Sequence, residues 1–283
     1  MTTLLLIDVQ KDFHPGGSLA IPTASDDAAR IASFIKRHGE SINRIVVTLD
    51  THPKWHIAHP TFWTAAGTAS AAAADDDGRE GGAQYHHPEP FTVISSEDIR
   101  SKKWIPIPNP SQQQDAAVIV DPTIFAKGGD IPENLFSNEN NISSSLSPLD
   151  LTKYCVEYTH RLESSKHNHR KFSLTIWPEH CIMGSDGHDV VDIVAHAIAT
   201  WRGGEDTAEE GKKKEKRTVE YVRKGMNSYT EMFSAICAEV PVDASTSFNY
   251  ALVDSVSTDE VVVIRFESIC SLTFVLMNTH LQL

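Results

Sequence analysis

Thr3-Leu4-Leu5-Leu6-Ile7-Asp8 and Arg44-Ile45-Val46-Val47-Thr48-Leu49-Asp50 are the two stretches that decide the fold. Each is an uninterrupted run of leucine and β-branched residues that stops on a carboxylate. A strand buried on both faces reads this way, as a continuous apolar run rather than an alternation. Between them a Gly16-Gly17 turn leads into Asp26–Arg37, where Ala28, Ile31, Ala32 and Ile35 recur at helical spacing. Strand, helix, strand in that order is the repeating unit of a parallel sheet.

Outward from this unit the pattern breaks and then resumes. Ala65–Gln84 is alanine-rich and carries Asp75-Asp76-Asp77, and Ser137–Ser147 is rich in Asn and Ser; both read as surface loops. Between them Pro88-Glu89-Pro90-Phe91 and Lys103-Trp104-Ile105-Pro106 mark an excursion expected to hold little regular structure. A helix from Leu149 to Leu162, a strand over Lys171–Ile176, a helix over Val190–Trp201 and a strand over Thr218–Val222 follow. Phe248–Val256 is expected to be helical and Glu260–Ile264 to be the last strand. Five strands alternating with helices predict an α/β fold: a doubly wound, mainly parallel sheet with helices on both faces. The expected organisation is one domain over residues 1–283, with insertions near 65–84, 128–148 and 203–217.

The formal charge of −13 excludes broad nucleic-acid binding, which needs a basic face. Lys212-Lys213-Lys214-Glu215-Lys216-Arg217 is the one basic cluster and reads as a solvated loop, with a nuclear-import patch as the alternative. No apolar run approaches the roughly 20 residues that span a bilayer, so no membrane association is expected. Leu4–Ile7 has no basic residue before it, unlike a secretory leader. Cys155, Cys181, Cys237 and Cys270 are widely spaced and read as reduced thiols of a cytoplasmic protein. Histidine, at 14, is unusually frequent and makes a metal site worth seeking.

Ligands of open α/β sheets sit outside the carboxyl ends of the strands. The polar residues at those ends are Asp8, Asp50 with His52, His180, Lys224 and, beyond the last strand, Cys270. Asp50-Thr51-His52-Pro53-Lys54-Trp55-His56-Ile57-Ala58-His59 holds a carboxylate and three imidazoles in one short loop. With His180 as a third ligand, Asp50 and His52 suit zinc, iron(II) or manganese, zinc being preferred. His56 reads as a fourth ligand or a support for the others, and His59, next to Pro60, as structural. A carboxylate closing an apolar strand needs a partner, and Lys224 supplies one for Asp8. An Asp–Lys pair beside a cysteine is a nucleophile set, because the lysine charge favours the thiolate and the carboxylate accepts its proton. Lys127 competes for the lysine role but lies in a loop-rich stretch.

Four segments carry a family resemblance. Leu6-Ile7-Asp8-Val9-Gln10-Lys11-Asp12-Phe13 resembles the opening motif of the nicotinamidase/isochorismatase cysteine-hydrolase superfamily. Asp50-Thr51-His52-Pro53 with His56 is similar to its metal loop, and Trp177-Pro178-Glu179-His180-Cys181 to its WPxHC motif. Arg223-Lys224-Gly225-Met226-Asn227, followed by Glu231-Met232-Phe233-Ser234-Ala235, resembles its lysine motif. The metal loop and the WPxHC segment favour the nicotinamidase-like branch. The resemblance implies a catalytic triad of Asp8, Lys224 and Cys270, and a divalent metal on Asp50, His52 and His180. It implies hydrolysis of a small amide, nicotinamide before others, through a thioester on the cysteine. Phe13 and Trp55 would wall a flat ring, with core packing as the alternative for each. Homo-oligomers are common in the family.

The last motif departs from the pattern. The family's nucleophile turn begins with glycine, whereas Val261-Val262-Val263-Ile264 runs into Arg265-Phe266-Glu267-Ser268-Ile269-Cys270. Glycine permits backbone angles that Arg and Phe resist. Thirteen residues follow Cys270, short of the family's closing helix and strand, so the C-terminal end of the expected fold is incomplete. Cys181 reads as structural, and Cys155 and Cys237 as core. The alternatives are a hydrolase of another small amide or a vinyl ether, and a non-catalytic metal-binding protein.

Overall fold

The computed structural model describes residues 1–67, 70–72, 81–109, 120, 148–164, 172–203 and 217–265. Cys270, Lys127, the basic cluster at 212–216 and most of the three expected insertions lie outside these residues.

β1 (Thr2–Ile7), β2 (Arg44–Asp50), β9 (Thr218–Lys224) and β10 (Glu260–Arg265) form a four-stranded sheet in the order β10-β1-β2-β9. Every pairing is parallel. All seven residues of β2 are buried, as its place between two neighbours and under helices on both faces requires. The ladder runs to the last residue of β2, so that Asp50 lies opposite Lys224.

Helices cover both faces. α1 (Ala24–His38) turns Ala24, Ala28, Ile31 and Ile35 inward, with Asp26 and Asp27 in its first turn and Lys36, Arg37 and His38 in its last. That charge order complements the helix dipole. A further helix, α4 (Asp192–Gly203), packs beside it through Val194, Ile198 and Trp201, over Leu4, Leu6, Ile45, Val47 and Leu49 of the sheet. On the other face α5 (Tyr250–Ser257) places Leu252 and Val256 against Val46 and Val261.

A separate core lies beside the sheet. It is built from short elements: β3 (Trp63–Ala65) pairs with β7 (Trp104–Pro106), and β6 (Val93–Ile94) with β8 (Leu174–Thr175). α2 (Ser96–Arg100) is capped by Ser95 in a reciprocal box with Asp98, and α3 (Pro148–Ser164) packs against it. A small ribbon, β4 (Ser70–Ala72) with β5 (Gly81–Gln84), completes the set. Trp55, Phe62, Trp63, Tyr154, Tyr158, Trp177 and Tyr229 fill this core.

Two expectations are corrected here. The strand over Lys171–Ile176 contributes only Leu174–Thr175, antiparallel to Val93–Ile94, and does not join the parallel sheet. Pro178 cannot donate to a ladder, and Ile176 and Trp177 are drawn into the aromatic core. The excursion around residues 88–106 holds ordered strands and a capped helix, because its Ile94, Ile99 and Trp104 pack on α3 and Trp177.

Candidate active site and metal centre

Three adjacent strands deliver three charged groups to one point. β1 ends at Asp8, whose backbone adopts φ 52, the left-handed region that Asp tolerates better than most residues. Its N–H donates to Thr48 Oγ1 at 3.1 Å, and the Thr48 hydroxyl donates to Asp8 Oδ1 at 2.7 Å. Lys224, buried at the end of β9, sets its Nζ 3.2 Å from Asp8 Oδ2 and 3.0 Å from Asp50 Oδ1. One ammonium therefore serves two carboxylates.

Burial disfavours every charge in this cluster, and the partners decide the outcome. Lys224 is raised, since Asp50 and Asp8 outweigh its desolvation. Asp50 falls well below the usual carboxylate range, because His52 and Lys224 overcome its burial. Asp8 moves the other way: burial, with help from Asp50, outweighs the attraction of Lys224. Of the two carboxylates, Asp8 is thus the better placed to take up and return a proton.

Asp50 also faces two histidines. His52 Nε2 lies 3.1 Å from Asp50 Oδ1, and His180 Nε2 lies 3.4 Å from Oδ2. His52 Nδ1 is 3.1 Å from the Gly225 carbonyl and His180 Nδ1 is 2.8 Å from the Pro178 carbonyl. A carbonyl only accepts, so each Nδ1 carries a proton and each Nε2 is the nitrogen turned toward the carboxylate. Without a metal between them, Asp50 raises His52 against its burial and favours a proton on that nitrogen. Two imidazole nitrogens converging on one carboxylate can be bridged by protons or by a metal cation that replaces them, and orientation by a backbone carbonyl is how metal-binding histidines are commonly held. Asp50, His52 and His180 have ligand atoms within 4.8 Å of one another, and all three are buried. The donor set fits a divalent metal. His180 does not arrive from a strand of the sheet. Its loop is stitched to the metal loop by His52 N–H to the Cys181 carbonyl (3.0 Å) and Met183 N–H to the His52 carbonyl (2.9 Å).

His52, His56 and His59 form a second group within the same distance limit. The hydrogen bonds favour the Asp50 group. His56 Nε2 faces the Thr230 carbonyl at 3.2 Å and Nδ1 accepts from Ala58 N–H at 3.3 Å, so both its nitrogens are engaged. Burial pushes His56 well below the usual histidine range, and burial pushes His59 down to about 3. Both rings are neutral props around His52, with ring centroids 4.6 and 5.2 Å from it.

Glu231 stands in the segment matched to the lysine motif, but nothing in the sequence assigned it a role in the site. It is buried, accepts from Trp177 Nε1 at 3.1 Å, and lies 3.7 Å from His56 Nδ1. Burial raises its carboxyl, against the pull of His52. Its presence downstream of Lys224 was visible, but its partners come from distant segments. Phe13 lies edge-on to His180 with centroids 5.8 Å apart. Trp55 donates to the Ile107 carbonyl at 3.0 Å and packs on Phe62 and Tyr229. The three described cysteines are all raised by burial, and Cys181 further by Asp50, Asp12 and Asp8. None of them is an activated thiol.

Known proteins resemble this chain as follows. A 59-residue stretch is 39% identical to the nicotinamidase of Saccharomyces cerevisiae, covering 20% of this chain and 27% of that protein. The match spans about a quarter of the curated relative's length. No family model matches. Among solved structures, a yeast nicotinamidase bound to the inhibitor nicotinaldehyde aligns with a TM-score of 0.45 at 17% identity, over 94% of this chain and 75% of that one. A nicotinamidase/pyrazinamidase from Acinetobacter baumanii gives 0.39 at 15% identity, over 93% and 69%. A pyrazinamidase from Pyrococcus horikoshii in complex with zinc gives 0.36 at 12%, over 94% and 70%.

Proposed function

We propose that this chain is a metal-containing cysteine amidohydrolase of nicotinamidase type that converts nicotinamide to nicotinate and ammonia. The observation that carries the reading is Lys224 held between Asp8 and Asp50, with Asp50 turned at the same time to His52 and His180. The four sequence motifs and the stretch shared with the yeast nicotinamidase support it.

Asp50, His52 and His180 would hold the metal, zinc before iron or manganese, which when bound supplies a Lewis acid for a pyridine nitrogen or a water. The resemblance gives Cys270 the attacking sulfur. Asp8 takes the thiol proton, and Lys224 holds the negative charge that then builds beside it. The thiolate bonds to the amide carbon; Asp8 returns the proton to the departing nitrogen, which leaves as ammonia. Water, deprotonated by Asp8, opens the thioester and restores the thiol. Phe13, against His180, would present an aromatic face to the ring, and Trp55 would back it from the neighbouring core. The ligand is a small molecule; the acidic charge speaks against nucleic acid, and among the described residues no helix is long and apolar enough to cross a membrane.

Ammonia release from nicotinamide and a panel of small amides tests this. Turnover of nicotinamide is expected, and Lys224→Ala should lower it by about 100-fold or more. Turnover of another amide alone would move the substrate assignment. A second reading, a metal-binding protein without turnover, is favoured by the Arg265–Cys270 sequence that replaces the family's glycine turn. It predicts stoichiometric zinc uptake, no ammonia from any amide, and Cys270 no more reactive to alkylation than Cys155.

A further inference from the structure

Beyond Ile7 the pairing of β1 with β2 ends, and among the described residues no strand meets the backbone of Asp50 on that side. The fully buried side chain of Gln10 does so instead. Its Oε1 accepts the Asp50 N–H at 2.7 Å, and its Nε2 donates to the Asp50 carbonyl at 2.7 Å and to the His188 carbonyl at 2.9 Å. A carboxamide carries an acceptor and a donor on separate atoms, and so can meet both the N–H and the carbonyl of a single residue.

Two residues on, Asp12 reaches the other arm of the centre. Its Oδ2 accepts the N–H of Cys181 at 2.6 Å, and its Oδ1 accepts that of Ser18 at 3.1 Å. Cys181 has φ 48, a conformation that costs energy for a side-chain-bearing residue, in the turn that directly follows His180. The carboxylate is tightly housed: a Cβ on Gly187 would fall 2.2 Å from it, and one on Gly17 would fall 2.4 Å from the Asp12 carbonyl oxygen. The segment is itself fixed, by Lys11 N–H to the Asp189 carbonyl (2.9 Å) and Val191 N–H to the Val9 carbonyl (2.9 Å).

We infer that Gln10–Lys11–Asp12 is a positioning element that sets the separation of Asp50 and His180 before a metal arrives. Gln10 holds one ligand's backbone and Asp12 holds the turn that presents the other. Neither residue touches the metal position. The inference rests on the metal reading of Asp50, His52 and His180 given above.

Zinc binding to the full chain, stripped with chelator and titrated calorimetrically with zinc alone, tests it. Gln10→Glu turns an oxygen toward the Asp50 and His188 carbonyls, and Asp12→Asn loses an acceptor for the Cys181 and Ser18 amides. Each should weaken zinc binding about tenfold or more. Trp201→Phe removes a buried hydrogen bond of similar length, Nε1 to the Gly39 carbonyl at 3.0 Å, beneath the helices, and should leave zinc affinity within about twofold. Wild-type affinity in folded Gln10→Glu and Asp12→Asn overturns the inference, as does equal weakening in Trp201→Phe. A wild-type chain that takes up no zinc overturns the metal reading itself, and this proposal with it. Should the substituted chains fail to fold, hydrogen exchange of the metal-free wild type decides: the Asp50 and Cys181 amides should be protected, and rapid exchange there overturns the inference.

Discussion

Gly225 turns the backbone directly beneath His52. Its φ is +76, and a Cβ there would come 2.7 Å from His52 Cε1 and 3.1 Å from Asp50 Oδ1, while its carbonyl orients His52 Nδ1. Gly225→Ala is expected to cost about 1–3 kcal/mol in urea denaturation and to weaken zinc binding in the same protein. His59 gives a pH signature. Its fold-depressed value of about 3 means the unfolded chain binds the extra proton first. Stability of the metal-free protein should therefore be lost as pH falls from 6.5 toward 3, by about 1.4 kcal/mol per unit. His56, depressed by the same burial, adds to the slope, so His59→Gln should lessen it without abolishing it, and an unchanged slope would remove the explanation. Asp8, Asp50, His52, His180 and Lys224 were legible because each ends an apolar run or sits in a motif. The sharing of Asp50 between Lys224 and the histidines was not legible, since it depends on register between strands far apart in sequence.

At the level of elements, β2 carries the sheet. Ile45, the second residue of β2, is fully buried, and Ile45→Ala should destabilise the protein by about 2–5 kcal/mol with little change in the unfolding slope. The four sheet strands were readable within two residues at each end: β1, β2 and β10 are dense apolar runs, whereas β9, largely exposed at the sheet edge, shows in its Val and Tyr residues. Helices α1, α3, α4 and α5 were expected in place as well, α1 from the helical spacing of Ala28, Ile31, Ala32 and Ile35. The ribbon pairing Val93–Ile94 with Leu174–Thr175 was invisible: two residues carry no period, and their partner is set by the aromatic core they cover. Helix α2 is five residues long, and only its Ser95–Asp98 capping pair marks it.

For the molecule as a whole, a parallel sheet with helices on both faces brings distant stretches of sequence to one edge, and a second aromatic core braces that edge from the side. If the centre holds zinc, the metal must stabilise the folded state by mass action. At a free concentration of one hundred times the dissociation constant the gain is about 2.7 kcal/mol, seen as a melting temperature several degrees higher and absent in His180→Ala. The position of Asp50 has one more consequence. A single anion answers to two cations, the ammonium 3.0 Å away and whatever lies between the imidazoles 3.1 and 3.4 Å away. Occupancy at one must then be felt at the other, and by thermodynamic reciprocity to the same extent in both directions. The lysine and the metal would work as communicating vessels, with proton release on zinc uptake as the level that reports it.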